Sequence, residues 1–224
     1  VWGVDRDQFQ PLLKYQEIFE LFTNQKFFKY FVFTPDKLVW PLLVHVVDFD
    51  ITKEEFQWAL KNYNSKKKYL KQTYQEVNYD HSKLESAGEK SNLQGKPYIL
   101  PNLKRYGGIC GDQSHFATRI AKAFCVPAMK VSGESRYGGH HAWAGFLVAK
   151  RGQPELEFSG RYRYDKYYTG DVFDPQTMTT TLDRYVAMML DGAAASYSDY
   201  INSATLVKIA STIDADHPEE AVNL

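Results

Sequence analysis

Cysteine is nearly missing from this chain: of 224 residues, only Cys110 and Cys125 carry a thiol. The two flank a helical pattern and would stand roughly 20 Å apart along it at 1.5 Å per residue. That is beyond the reach of a disulfide, so two free thiols are expected. Free thiols fit a reducing compartment, or a secreted protein that does without bridges. Long apolar runs are lacking too: no stretch of 18 apolar residues exists, which excludes a transmembrane helix. Nor is there a surplus of either charge. Lysine and arginine number 27, as do aspartate and glutamate, so nothing in the charge calls for nucleic acid or an anionic membrane. No cysteine or histidine pair has zinc-finger spacing, and the neighbours His140 and His141 would point to opposite faces of a strand rather than chelate one ion. The chain opens on Val1 rather than methionine, which leads us to expect a trimmed upstream segment such as a signal peptide. Localisation therefore stays open between cytoplasm and export, and the oligomeric state is not legible.

What is present is ordinary for a globular protein, with 44% hydrophobic and 24% charged residues, enough for one large domain or two small ones. Residues 1–77 read as a helical segment packed on a core. Phe9, Leu12, Leu13, Ile18, Phe19 and Phe22 form an apolar stripe within a helix over 6–32. Thr34-Pro35 reads as a cap with proline at the first helical position, opening a helix through Leu38, Trp40, Leu42, Leu43 and Val46. His45 in that run reads as a core histidine rather than a ligand. Thr52-Lys53-Glu54-Glu55 is a capping box. Lys66, Lys67 and Lys68 form a solvated helix face in preference to a nucleic-acid patch. From Asn78 to Asn102 serine, glycine, asparagine and proline mark a long connection, with Tyr98, Asn102 and Tyr106 as candidates to line a cleft.

The most informative stretch is Gly107-Gly108-Ile109-Cys110-Gly111-Asp112-Gln113. Phe116, Ala117, Ile120, Ala121 and Phe124 follow it at helical spacing, so Cys110 sits at a helix N-terminus. Unpaired N–H groups and the dipole there favour thiolate. The paired glycines allow a tight turn and close approach of a substrate. The plain alternative is a small buried hydrophobe. Asp112 reads as a capping charge on the first turn, and His115 as structural. Beyond the helix, Val126 to Gly133 reads as a strand ended by a turn. Residues 140–149 read as a second strand, and a third begins at Leu156 or Phe158. Tyr162, Tyr164, Asp165, Tyr167 and Tyr168 form an aromatic, charged excursion ending in Val172-Phe173-Asp174-Pro175. From Thr181 to Leu224 the pattern is helical again. Its close, 213–221, is similar to the turn between hairpins of a helical repeat, an expectation that the native chain continues.

A cysteine at a helix start, then His141 on a strand, then an acid, is the order of a Cys-His-Asp triad. In such a site the imidazole takes the thiol proton, the acid fixes the tautomer, and the thiolate attacks a carbonyl. These segments resemble the transglutaminase-like superfamily of papain-type cysteine enzymes over about residues 97 to 177. Gly107 to Asp112 resembles the nucleophile segment, Val126-Pro127-Ala128 the helix exit, His141-Ala142-Trp143 the histidine strand, and Asp174-Pro175 the pair carrying the acid. The resemblance implies an α+β fold: a papain/transglutaminase-like core over 78–180, its catalytic-Cys helix packed on an antiparallel sheet, with additional N-terminal helices and C-terminal helices over 181–224. It implies acyl transfer or hydrolysis of a peptide or protein amide through Cys110, His141 and Asp174, with no cofactor. No acidic cluster matches the calcium sites of animal transglutaminases. Two departures stand out. Cys125 occupies a position where the family commonly has glycine, so a residue with a side chain must take the cap conformation or the helix must end differently. Asp174 lies further from the histidine than the family's acid does; Glu157 fits that spacing and Asp165 its upper end. A non-catalytic peptide- or glycan-binding module built on Tyr162, Tyr164, Tyr167 and Tyr168 is the alternative. A third is a scaffold domain serving the helical repeat.

Overall fold

In a computed structural model, residues 12–85, 90–135, 139–150, 153–161, 168–174 and 178–216 are described. They form an α+β fold around one five-stranded antiparallel sheet of order β3-β2-β1-β4-β5. The strands are β1 (Ala128–Ser135), β2 (His140–Lys150), β3 (Gln153–Ser159), β4 (Tyr168–Asp174) and β5 (Thr179–Leu182). The helices are α1 (Tyr15–Thr23), α2 (Trp40–Val47), α3 (Lys53–Tyr63), α4 (His81–Glu85), α5 (Leu100–Tyr106), α6 (Cys110–Ala123), α7 (Asp183–Ala195) and α8 (Tyr197–Asp216).

Several expected elements are resized. Of the helix expected over 6–32, residues 6–11 lie outside the described residues, and the remainder holds α1, followed by a 3₁₀ turn at Gln25–Phe27. Pro35 opens only a 3₁₀ turn, Pro35–Lys37; α2 begins at Trp40, with its own proline, Pro41, in the first turn. The lysine-rich run belongs to a 3₁₀ segment, Asn64–Glu76, kinked at Tyr69. The connection over 78–102 contains α4 and the start of α5, and the stretch read as wholly helical from Thr181 first completes β5.

The capping box of α3 forms as its residues dictate. The Glu55 amide donates to Thr52 Oγ1 (3.1 Å), and the Thr52 amide donates to Glu55 Oε2 (3.0 Å). The second Glu55 oxygen accepts the Leu100 N–H (2.8 Å), so one buried carboxylate also starts α5. Among the described residues the main apolar core runs from Ile18 to Ala193, and a second, small cluster joins Tyr185, Val207 and Ala210. At the centre of the main core Phe116 of α6 meets the rings of Trp58 (6.3 Å) and Tyr63 (6.1 Å), edge-to-face contacts worth about 1 kcal/mol each.

The register assigns every strand residue to a face, because directly paired residues of antiparallel strands project to the same side. His141 pairs with Gly133, which pairs with Gly170; Trp143 pairs with Val131, which pairs with Val172. That face is covered by α7. Lys130, Ala142, Ala144 and Phe146 belong to the other face, where α6 lies on β1 and β2. Alanines there let the helix approach closely.

Candidate active site

Cys110 is the first residue of α6 and is partly exposed. The turn before it explains both glycines. Gly107 takes φ +83°, and a Cβ on it would come within 2.5 Å of the Asn78 carbonyl oxygen. A Cβ on Gly108 would meet the Asp112 side chain at 2.4 Å. Gly108 N–H donates to Asn78 O (2.9 Å) and its carbonyl accepts the Asp80 N–H (2.9 Å). The glycines thus permit backbone to pack on backbone, rather than a substrate on backbone as the sequence suggested.

Asp112 is the cap anticipated for α6. Its Oδ2 accepts the Ile109 N–H (2.8 Å) and the Lys83 ammonium (2.7 Å), and its Oδ1 accepts the Tyr98 hydroxyl (2.8 Å). A carboxylate 5% exposed is tolerable only with such partners. Burial, then the Asp112 charge, holds the Tyr98 phenol well above its usual range. Tyr98 also stacks edge-on to His115 at 5.0 Å. Burial, with Lys130 adding to it, pushes the His115 imidazole down to about 3. Of the three proposed cleft residues, only Tyr98 joins the first turn of α6. Asn102 donates to Pro97 O (2.9 Å), and Tyr106 stacks under Lys96 and Arg105.

A charged side chain beside the start of α6 has no signal in the sequence. Lys130 of β1 reaches the α6 N-terminus, its Nζ 3.9 Å from where a Gly111 Cβ would lie. Burial, then the Arg119 charge, lowers its pKa from the ordinary lysine value, with Asp112 and Cys110 pulling the other way and Lys83 adding to the lowering. An ammonium at the positive end of a helix is misplaced unless an anion shares the site. No motif in the sequence signals it, because a lone lysine on an edge of a strand pattern is usually solvent-facing.

His141 is the second residue of β2, 8% exposed, and its ring stacks on Trp143 at 5.9 Å. Ser114 Oγ of α6 donates to the Trp143 carbonyl (2.8 Å), which fixes the start of α6 against the start of β2. His141 Nε2 lies 2.6 Å from the Gly160 carbonyl oxygen. A carbonyl only accepts, so Nε2 carries the proton and Nδ1 is the basic nitrogen. Burial lowers the His141 pKa against the opposing pull of that hydrogen bond, keeping the imidazole neutral at pH 7. Among the described residues no hydrogen bond joins Cys110 to His141; the side chains belong to neighbouring elements, not to a closed pair.

The register does not bring the expected acid to His141. Gly170 shares the His141 row, and Asp174 is four residues further along β4. That is about 13 Å along the strand, and two strands across. Asp174 instead acts on His45 and Tyr200. Glu157 pairs across the sheet with Phe146 and is bound by Lys71 (2.5 Å), also away from His141. Asp165, Tyr162, Tyr164 and Tyr167 lie outside the described residues, as do the Tyr168 side chain and residues 217–224. The Gly160 carbonyl, not an acid of the expected set, is the hydrogen-bond partner placed at His141 Nε2. Gly160 has φ +82°, and a Cβ there would lie 2.2 Å from the Tyr74 ring, so only glycine presents this oxygen. A glycine directly after a strand could have flagged the turn, but not its role.

Cys125 contrasts with Cys110. It is fully buried, and burial together with Asp36 pushes its thiol up to about 12. It takes φ +57°, the glycine-like cap conformation. Its N–H donates to Lys122 O (2.9 Å) and the Val126 N–H to Ala121 O (3.1 Å), the paired bonds of a Schellman ending.

No family model matches this chain, and no curated protein matches it. A solved structure from Cytophaga hutchinsonii, described as a "putative cysteine protease", is similar with 14% identity and a TM-score of 0.36, over 57% of this chain. The match spans 44% of that protein, so this chain covers less than half its length.

Proposed function

We propose that this protein is a thiol-dependent amide-processing enzyme of the transglutaminase-like kind, with Cys110 as nucleophile and His141 as its base. The observation that carries the reading is the contrast between the two thiols. Cys110 is accessible, at the positive end of α6 and beside the Lys130 ammonium, whereas Cys125 is sealed. His141 is the second residue of the adjoining strand, with its tautomer set by Gly160; the register puts its side chain on the α7 face, so it meets Cys110 only by turning past the end of β2.

In this reading His141, turned past the start of β2 from the α7 face, takes the Cys110 proton at Nδ1, and the thiolate attacks the amide carbonyl carbon. The oxyanion is met by N–H groups of the α6 first turn, with the Lys130 charge close by. The imidazolium then protonates the leaving amine, and a thioester remains on Cys110. Water releases an acid, or an amine releases a new amide; either step regenerates the thiol. The acid of the expected triad has no part here, because Asp174 stands far from His141 along the sheet.

The test is the rate of iodoacetamide alkylation across pH, read at each cysteine by peptide mass. Cys110 is expected to be alkylated much faster than Cys125 at neutral pH. His141→Ala and Lys130→Met should each slow that alkylation, while Asp174→Ala leaves it unchanged. Equal, slow reaction of Cys110 and Cys125 in the parent would sink the reading.

A further inference from the structure

A cavity of ≈ 100 Å³ opens between α2, β4, β5, α7 and α8, on the sheet face opposite α6. Its walls are largely apolar, Val172 and Leu190 among them, and the residues with groups able to accept hydrogen bonds along it are His45, Asp174, Thr181 and Tyr200. At its mouth Trp40, 52% exposed, meets the Tyr200 ring edge-on at 6.0 Å. Among the described residues no hydrogen bond reaches a ring nitrogen of His45 or the hydroxyl of Tyr200. The His45 side chain is partly exposed, so water reaches its ring through the cavity, and a ligand that brings a donor there takes the place of that water.

The charges define that donor. Burial, reinforced by the Lys122 ammonium, holds the His45 imidazole down to about 4, against the opposing pull of Asp174 and Asp48. It is therefore a neutral acceptor at pH 7. Burial, then Asp174 and Tyr197, raises the Tyr200 phenol, so its oxygen stays protonated and available as an acceptor. Asp174 supplies the negative charge, and two aromatic rings at the mouth offer π faces to a cation. A primary ammonium has three N–H donors, matching one imidazole, one carboxylate and one phenol. The apolar volume admits roughly three or four non-hydrogen atoms, judged against a water's share of about 30 Å³.

We infer that this cavity binds a primary alkylammonium group. Its place across the sheet from Cys110 makes it a separate site, and its occupancy does not depend on the thiol chemistry proposed above. The ligand is a small free amine or the end of a lysine side chain, which share this chemistry.

The experiment follows the imidazole nitrogen resonances of His45 in the whole protein at pH 7. The probes are n-propylammonium, n-propanol and propionate, with Nα-acetyl-lysine methylamide as the side-chain source. Saturable shifts at His45 with propylammonium, and not with propanol or propionate, are expected. Asp174→Asn should weaken binding at least tenfold and Tyr200→Phe by less, while Cys110→Ala leaves it unchanged; His115 serves as the control for intact folding. Binding of the lysine derivative as tight as that of propylammonium assigns the site to side chains, and weaker binding to free amines. Equal shifts from propanol, or an unchanged affinity in both Asp174→Asn and Tyr200→Phe, would overturn the inference.

Discussion

The two ends of α6 hold the same residue type in opposite circumstances. At the first end Cys110 meets solvent, unpaired N–H groups and Lys130. At the other, Cys125 is wrapped in core, closes the Schellman turn, and has its thiol driven up to about 12. One helix therefore opens one thiol to solvent and seals the other. The difference is not in cysteine chemistry but in backbone: orphan donors at one end, satisfied carbonyls and apolar walls at the other.

The sharpest way to break this comparison is at Asp112. Asp112→Ala leaves the Ile109 N–H, the Lys83 ammonium and the Tyr98 hydroxyl without their shared acceptor, and should cost about 3–5 kcal/mol in denaturant unfolding. Asp112→Asn should cost less, since an amide oxygen still accepts the Ile109 N–H. A loss below about 1 kcal/mol for the alanine variant would mean that the cap does not organise this end.

At the opposite end the equivalent charge is Lys122, which is 3% exposed and bonded to Asp48. Burial lowers its pKa to about 8, from an ordinary lysine value. Between pH 8 and about 10.4 the unfolded chain holds a proton that the folded chain has released, so stability rises with pH across that window. The gain is on the order of 3 kcal/mol, and Lys122→Met should abolish it. Thermal unfolding of both proteins at pH 8 and pH 10 decides; the same slope in the variant refutes the assignment.

The smallest effect concerns Cys125 itself. Its φ of +57° penalises any side chain by about 1–2 kcal/mol relative to glycine. Cys125→Gly removes buried sulfur but also that strain, whereas Cys125→Ala loses the sulfur and keeps the strain. Glycine should thus be the more stable of the two by about 1 kcal/mol, measured by urea midpoints.

Those outcomes bear on what the sequence could disclose. The start of α6 was legible because helix starts are local: spacing, a capping acid and a glycine turn all fall within a few residues. The Thr52–Glu55 box was legible for the same reason, although its grip on Leu100 was not. β2 and the position of His141 could be read from a continuous apolar run. The acid could not. Asp174 was chosen on a local Asp-Pro resemblance, but which residue faces a histidine depends on register across three strands, and pairing set Gly170 in that row. Lys130 and the Gly160 carbonyl escaped for a related reason: each reaches the site from a different element, one as a lone cation and one as backbone. β5 was hidden because Thr179–Leu182 is short and merges into the helical pattern of α7.

The turn at Cys125 passes within three residues into β1, the middle strand of the sheet. Because side chains alternate along it, β1 behaves as a two-position selector: its present phase sends Lys130 toward Cys110 and Val131 toward Trp143. Adding or deleting one residue between 125 and 128 would invert that phase, removing the cation from the thiol and burying it under α7. A change of two residues would restore it. The permitted lengths of this short link are thus set by parity, so natural variants are expected to differ there by even numbers of residues.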